Sequence, residues 1–106
     1  MLKLKHAFQN GQTLVGTWLN ASGPAQVETI GYAGFDFVIL DTEHSSYDIA
    51  GCENLVRAAD AAQLPCLIRV PENRSTPVGK ALEYGAQGIV VPHVSTKAEA
   101  EAAVNH

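Results

Sequence analysis

The chain has 106 residues, 46% hydrophobic and 17% charged, which excludes a disordered chain and sets the expectation of one folded unit. Eleven acidic residues against seven basic give a net charge of −4 with no basic stripe, so nucleic acid and anionic membranes are not expected partners. The longest apolar runs, Phe37 to Leu40 and Ile89 to Val91, are strand-sized and fall far short of the roughly 20 residues that span a bilayer.

In chain order, residues 2 to 9 read as a short helix stopped by Asn10-Gly11, and Thr13 to Leu19 as a first strand rich in β-formers. Ser22-Gly23-Pro24 is a helix-start signature, because proline at the first helical position loses nothing by lacking an N–H. That helix carries Val27 and Ile30 on one face and stops at Gly34, and Phe35 to Leu40 follows as a second strand. Ile49, Cys52, Leu55, Val56, Ala59 and Ala62 form an apolar stripe at helical spacing over residues 49 to 62. Pro65 to Val70 is a third strand, Pro77 to Tyr84 a short helix, Gly88 to Val91 a fourth strand, and a last helix runs from Lys97.

Strand–helix alternation predicts an α/β fold with a parallel sheet and right-handed crossovers. AGFDFVILD at 33 to 41 echoes YGAQGIVVP at 84 to 92, each a glycine stop before a buried strand. Four such units suit a small open sheet of flavodoxin-like kind or the first half of a TIM (β/α)8 barrel. AEAEAAVNH breaks off within an amphipathic pattern, with no glycine stop. The expectation is therefore a single partial domain over 1–106, four truncated βα units at the front of something longer. MLKLKHAFQNG lacks the continuous apolar stretch of a secretory signal, and Cys52 and Cys66 lack metal-ligand spacing. Buried free thiols and a cytoplasmic location are expected.

In parallel architectures functional groups gather where the strands end. Those ends read Gly16-Thr17-Trp18-Leu19-Asn20, Asp41-Thr42-Glu43-His44, Arg69-Val70-Pro71-Glu72-Asn73 and Pro92-His93-Val94. A tryptophan, carboxylates, imidazoles and an arginine converge on one rim, with no comparable set at the opposite ends. Taken singly, Asp41 is equally a turn cap, Glu43-His44 a solvated pair, Trp18 a core residue and His93 a structural histidine. Arg69 follows Leu67-Ile68 in a buried strand, where an unpaired charge is costly, so it must face an anion, either a side chain or a ligand. An arginine on an enolate oxygen beside a histidine base suits proton abstraction next to a carbonyl, or carbon–carbon cleavage. The lysines, at 3, 5, 80 and 97, miss the strand ends, which leaves Schiff-base chemistry without a candidate. Gly85-Ala86-Gln87-Gly88 precedes a strand instead of opening a helix and so is no phosphate loop.

VGTWLNASGPAQVETIGYAGFDFVILDTEHSSYDI and LIRVPENRSTPVGKALEYGAQGIVVPHV together resemble the metal-dependent, class II pyruvate aldolases of the HpcH/HpaI family, from about Gly11 to Val104. The resemblance rests on four features: Gly16-x-Trp18, the run from Gly34-Phe35-Asp36 to Glu43-His44, Arg69-Val70-Pro71, and Gly85-Ala86-Gln87-Gly88 with Pro92. It implies a (β/α)8 barrel that cleaves 2-keto-3-deoxy or 4-hydroxy-2-oxo acids to pyruvate and an aldehyde, with a divalent ion, Mg2+ or Mn2+, on the enolate. By position His44 is then the base, Arg69 the group on the oxo oxygen, and Trp18 a neighbour of the substrate. Glu43 and Asp41 would lie near the metal's water shell, and Glu83 would take the place of an aspartate paired with the histidine. The direct metal ligands are expected beyond His106. A homo-oligomer, a hexamer by resemblance, is expected, and the 106 residues alone are not expected to be catalytically competent. Two alternatives stay open: a non-catalytic half-barrel that dimerises or docks through its strand edges, and a barrel lyase of citryl-CoA type.

Overall fold

The computed structural model describes residues 1–21 and 23–106. Helix α1 (Leu4–Gln9) precedes four strand–helix units: β1 (Gly16–Leu19) with α2 (Pro24–Tyr32), β2 (Phe37–Asp41) with α3 (Cys52–Ala61), β3 (Cys66–Arg69) with α4 (Ser75–Glu83), and β4 (Gly88–Val90) with α5 (Lys97–Asn105). Ser22, part of the expected helix start, lies outside the described residues; α2 begins at Pro24 as its sequence suggested. β1 is shorter at its start than expected. β2 runs one residue further, which places Asp41 inside the strand. α4 begins two residues before Pro77, and proline is tolerated there because the first helical turn needs no N–H donor.

The sheet order is β1-β2-β3-β4, all parallel. Residues paired in register point to the same face. Leu19, Leu40 and Ile68 therefore share one face, and Trp18, Ile39 and Leu67 the other. The first face is the core: Val38, Leu40, Cys66 and Ile68 are buried there among Val27, Leu55, Val56, Ala59, Val78 and Ala81 of the helices. On the second face Phe37, Ile39, Leu67 and Arg69 are only half-buried. A strictly sequential order with one helix-covered face belongs to the wall of a (β/α)8 barrel, since a flavodoxin-like sheet reorders its strands and covers both faces. The second face packs without glycine side chains in the way. A Cβ on Gly16 would lie 2.3 Å from the Phe37 ring, and one on Gly88 would lie 2.7 Å from Leu67.

Both expected glycine stops hold. Gly34 and Gly85 have φ of 98° and 102°, a left-handed conformation that ends α2 and α4 and turns the chain into the next strand. α5 starts on a side-chain cap, in which the Thr96 hydroxyl accepts the Glu99 N–H and in turn donates to the Glu99 carboxylate. Among the described residues no helix is long and apolar enough to cross a membrane. Cys52 and Cys66 are buried free thiols, both pushed up to about 12 chiefly by burial, and so remain protonated and unreactive.

Candidate active site

The register pairs Asp41 with Arg69 at the last rung between β2 and β3, on the face away from the helices. The Arg69 Nε–H donates to Asp41 Oδ1 at 3.0 Å and Nη2–H donates to Oδ2 at 2.5 Å, a two-pronged contact that fixes the guanidinium plane. Asp41 is fully buried. Its Oδ1 also accepts the backbone N–H groups of Glu43 and His44, at 2.9 and 3.1 Å. Burial alone would raise the Asp41 pKa. The Arg69 hydrogen bonds and the two backbone donors outweigh it and hold the carboxyl below its ordinary value, so it stays ionised. The same contact raises the Arg69 pKa further. The anion that Arg69 had to face is thus a side chain of the neighbouring strand β2.

Over the guanidinium lies the Trp18 ring, with Arg69 Cζ 4.4 Å from its centroid. The indole is still 45% exposed, and so forms an open platform at the rim. Glu43 stands nearby, with Oε1 3.7 Å from Arg69 Nε and 3.1 Å from His44 Nε2. Its Oε2 is 2.8 Å from His93 Nε2. His93 reaches across from the loop after β4 and sits at a φ of 55°, uncommon for a side-chain-bearing residue. Five of the residues singled out on the rim therefore meet: Trp18, Asp41, Glu43, His44 and Arg69. His93, named there without a role, joins them through Glu43.

Two of the expected residues have other partners within this chain. Glu83 does not meet His44, whose ion-pair partner is Glu43. Glu83 closes α4 immediately before the turn into β4, so it stands where the strands begin, along an exposed helix face with Ser75, Thr76, Gly79 and Lys80. Asp41 is not beside an open ligand position, because its oxygens are engaged by Arg69 and by the Glu43–His44 turn. It braces the arginine. The residue that sequence reasoning missed is Tyr47, whose hydroxyl donates to the Leu19 carbonyl at 2.5 Å and accepts the Asp41 N–H at 2.9 Å. Its only signal was an aromatic alcohol in the loop that follows Glu43-His44.

Among the described residues no group of three or more His, Cys, Asp or Glu side chains is placed to hold a metal ion. The two carboxylates of the rim already face Arg69, His44 and His93. These residues do not form a direct ligand set for a divalent ion. What the arrangement can do by itself is hold a guanidinium rigidly beside an imidazole, for an anion that develops next to a proton to be moved.

Known proteins resemble this chain across nearly its whole length. The 5-keto-4-deoxy-D-glucarate aldolase of Escherichia coli is 35% identical over 102 residues, 96% of this chain and 40% of that protein. The solved citrate synthase SbnG is 37% identical with a TM-score of 0.89, over 98% of this chain and 42% of its own. The HpcH/HpaI aldolase from Desulfitobacterium hafniense DCB-2 is 31% identical with a TM-score of 0.88, over 98% of this chain and 40% of that one. The chain therefore spans about two fifths of the length of the relatives it matches. Residues 14–106 match the HpcH/HpaI aldolase/citrate lyase family, and the chain belongs to it.

Proposed function

We propose that this chain supplies the arginine and the proton-handling side of a carbon–carbon lyase that cleaves 4-hydroxy-2-oxo acids, including 2-keto-3-deoxy sugar acids, to pyruvate and an aldehyde. The observation that carries this reading is the Asp41–Arg69 fork at the strand ends, set beneath Trp18 and beside Glu43–His44. Two of the five guanidinium N–H groups are directed to Asp41, which leaves the Nη1 edge for a ligand oxygen.

His44 takes the proton of the 4-hydroxyl. The C3–C4 bond then breaks, C4 becomes the aldehyde carbonyl, and the bonding pair moves into a C2–C3 enolate with its charge on the C2 oxygen. Arg69 donates to that oxygen as the charge develops, and protonation at C3 gives pyruvate. Glu43 Oε1 lies 3.1 Å from His44 Nε2, so a carboxylate stands beside the ring that takes the proton. Trp18 shields the guanidinium from water on one face. The divalent ion implied by the resemblance would draw its direct ligands from outside the residues described, and no step here depends on it. We place the residues as the front half of the barrel and expect a homo-oligomer.

The test is pyruvate release from a 4-hydroxy-2-oxo acid, followed by coupled reduction to lactate, in the polypeptide as its gene encodes it. His44→Ala is expected to lower kcat by about 10²–10⁴-fold, the usual contribution of a positioned base. Full activity in His44→Ala, or no pyruvate from the wild type, would remove the proposal. A second reading has its own support in the likeness to a citrate synthase. In that case the rim would run carbon–carbon bond formation on a larger carboxylate or thioester, and the same assay with a thioester donor separates the two.

A further inference from the structure

We propose that Tyr47 is a positioning residue, whose phenol oxygen stands in for a missing rung of the sheet and so sets where Asp41 holds Arg69. β1 and β2 pair Trp18 with Ile39 and Leu19 with Leu40. In a parallel ladder the N–H and C=O of a residue go to the two neighbours of its partner. Two residues past Ile39, the N–H facing β1 is that of Asp41, and its regular acceptor is the Leu19 carbonyl. The structure instead inserts the Tyr47 hydroxyl: Asp41 N–H donates to it at 2.9 Å, and it donates to the Leu19 carbonyl at 2.5 Å. Two hydrogen bonds span a gap that one would otherwise close.

The other side of β2 is built in the opposite way. Both the Thr42 N–H and its hydroxyl donate straight to the Arg69 carbonyl, at 3.1 and 2.5 Å. The end of β2 is thus spaced from β1 by one hydroxyl and clamped directly to β3, and Asp41 stands at the junction. The loop is shaped to present the phenol. The Ser45 hydroxyl donates to the Tyr47 carbonyl and accepts its N–H, and the Tyr47 ring packs on the hydrophobic core. Burial keeps the phenol protonated well above neutral pH, so its donor hydrogen persists. Without the hydroxyl, either the Leu19 carbonyl and the Asp41 N–H lose their partners, or β1 and β2 close and carry Asp41 with them. Both outcomes disturb the guanidinium.

The kinetic part of this inference rests on the proposed lyase reaction; the structural part does not. In the gene-encoded polypeptide, Tyr47→Phe is expected to lower kcat at least tenfold with KM changed less than threefold, since a misplacement near 1 Å costs up to about 10²-fold. The ¹⁵N-detected Nε–H resonance of Arg69 is expected to shift in the same variant, and the wild-type Asp41 amide to be protected from hydrogen exchange. An Arg69 resonance that does not move, a freely exchanging Asp41 amide, or a kcat within twofold of wild type each overturns the assignment. If the wild type releases no pyruvate, the lyase reading fails, and the two spectroscopic results alone decide the role of Tyr47.

Discussion

Where the strands begin, the Gln87 side chain accepts the Leu4 N–H at 2.9 Å and donates to the Leu2 carbonyl at 2.9 Å, tying α1 against the sheet. Where they finish, Asp41, Glu43, Arg69, His44 and His93 form one network of acid, imidazole and guanidinium groups, with an exposed tryptophan over Arg69. The first end uses neutral amides to satisfy a helix start that has no intrahelical acceptor. The second gathers carboxylates and imidazoles around a guanidinium already fixed in place. Neutral ties seat an element, whereas a braced charge at a rim is prepared for something that arrives there. The contrast assigns the seating of α1 to one end and a braced guanidinium to the other, and variants can break it.

The largest effect is expected from Asp41→Ala, which leaves Arg69 without its brace and two backbone N–H groups unpaired. Breaking a buried pair costs about 3 kcal/mol at the low end of its range, the end that applies because the guanidinium keeps some solvent. Denaturant unfolding should show that loss together with loss of pyruvate release. Acid sharpens the point. The folded Asp41 carboxyl titrates below its ordinary value, so its stabilisation is fully present above about pH 3.9 and is lost as pH falls through the lower folded value. An Asp41→Asn variant should show a flatter decline in stability over that acidic window. Gln87→Ala removes two hydrogen bonds and should cost about 1–2 kcal/mol, while leaving kcat unchanged. Glu83→Gln, on an exposed helix face, should change stability by less than about 0.5 kcal/mol. A fall in kcat without a fall in stability would return Glu83 to the site where the sequence placed it.

Much of the rim was legible because it depends on local pattern. Gly34 and Gly85 mark the strand starts, apolar runs mark the strands, and the parallel rule then gives the ends where Trp18, Glu43, His44 and Arg69 stand. The need of Arg69 for an anion was legible too, since it follows two apolar strand residues. Which anion was not. The answer depends on the register between β2 and β3, and that is set by packing across 28 positions of chain. Tyr47 was hidden for the same reason, since its partner Leu19 lies 28 residues earlier and nothing near Tyr47 reports it. Glu83 was assigned from family position alone, and within this chain it closes α4 at the end where the strands begin.

The central claim is that a guanidinium fixed by Asp41 stabilises the charge that develops during cleavage. The most direct test is Arg69→Lys, which keeps the positive charge and loses the planar fork. Pyruvate release from a 4-hydroxy-2-oxo acid should fall about 10²-fold or more in kcat, the scale of a lost oxyanion donor, while the circular dichroism spectrum stays that of the wild type. A folded Arg69→Lys enzyme with kcat within a few-fold of wild type would contradict the account.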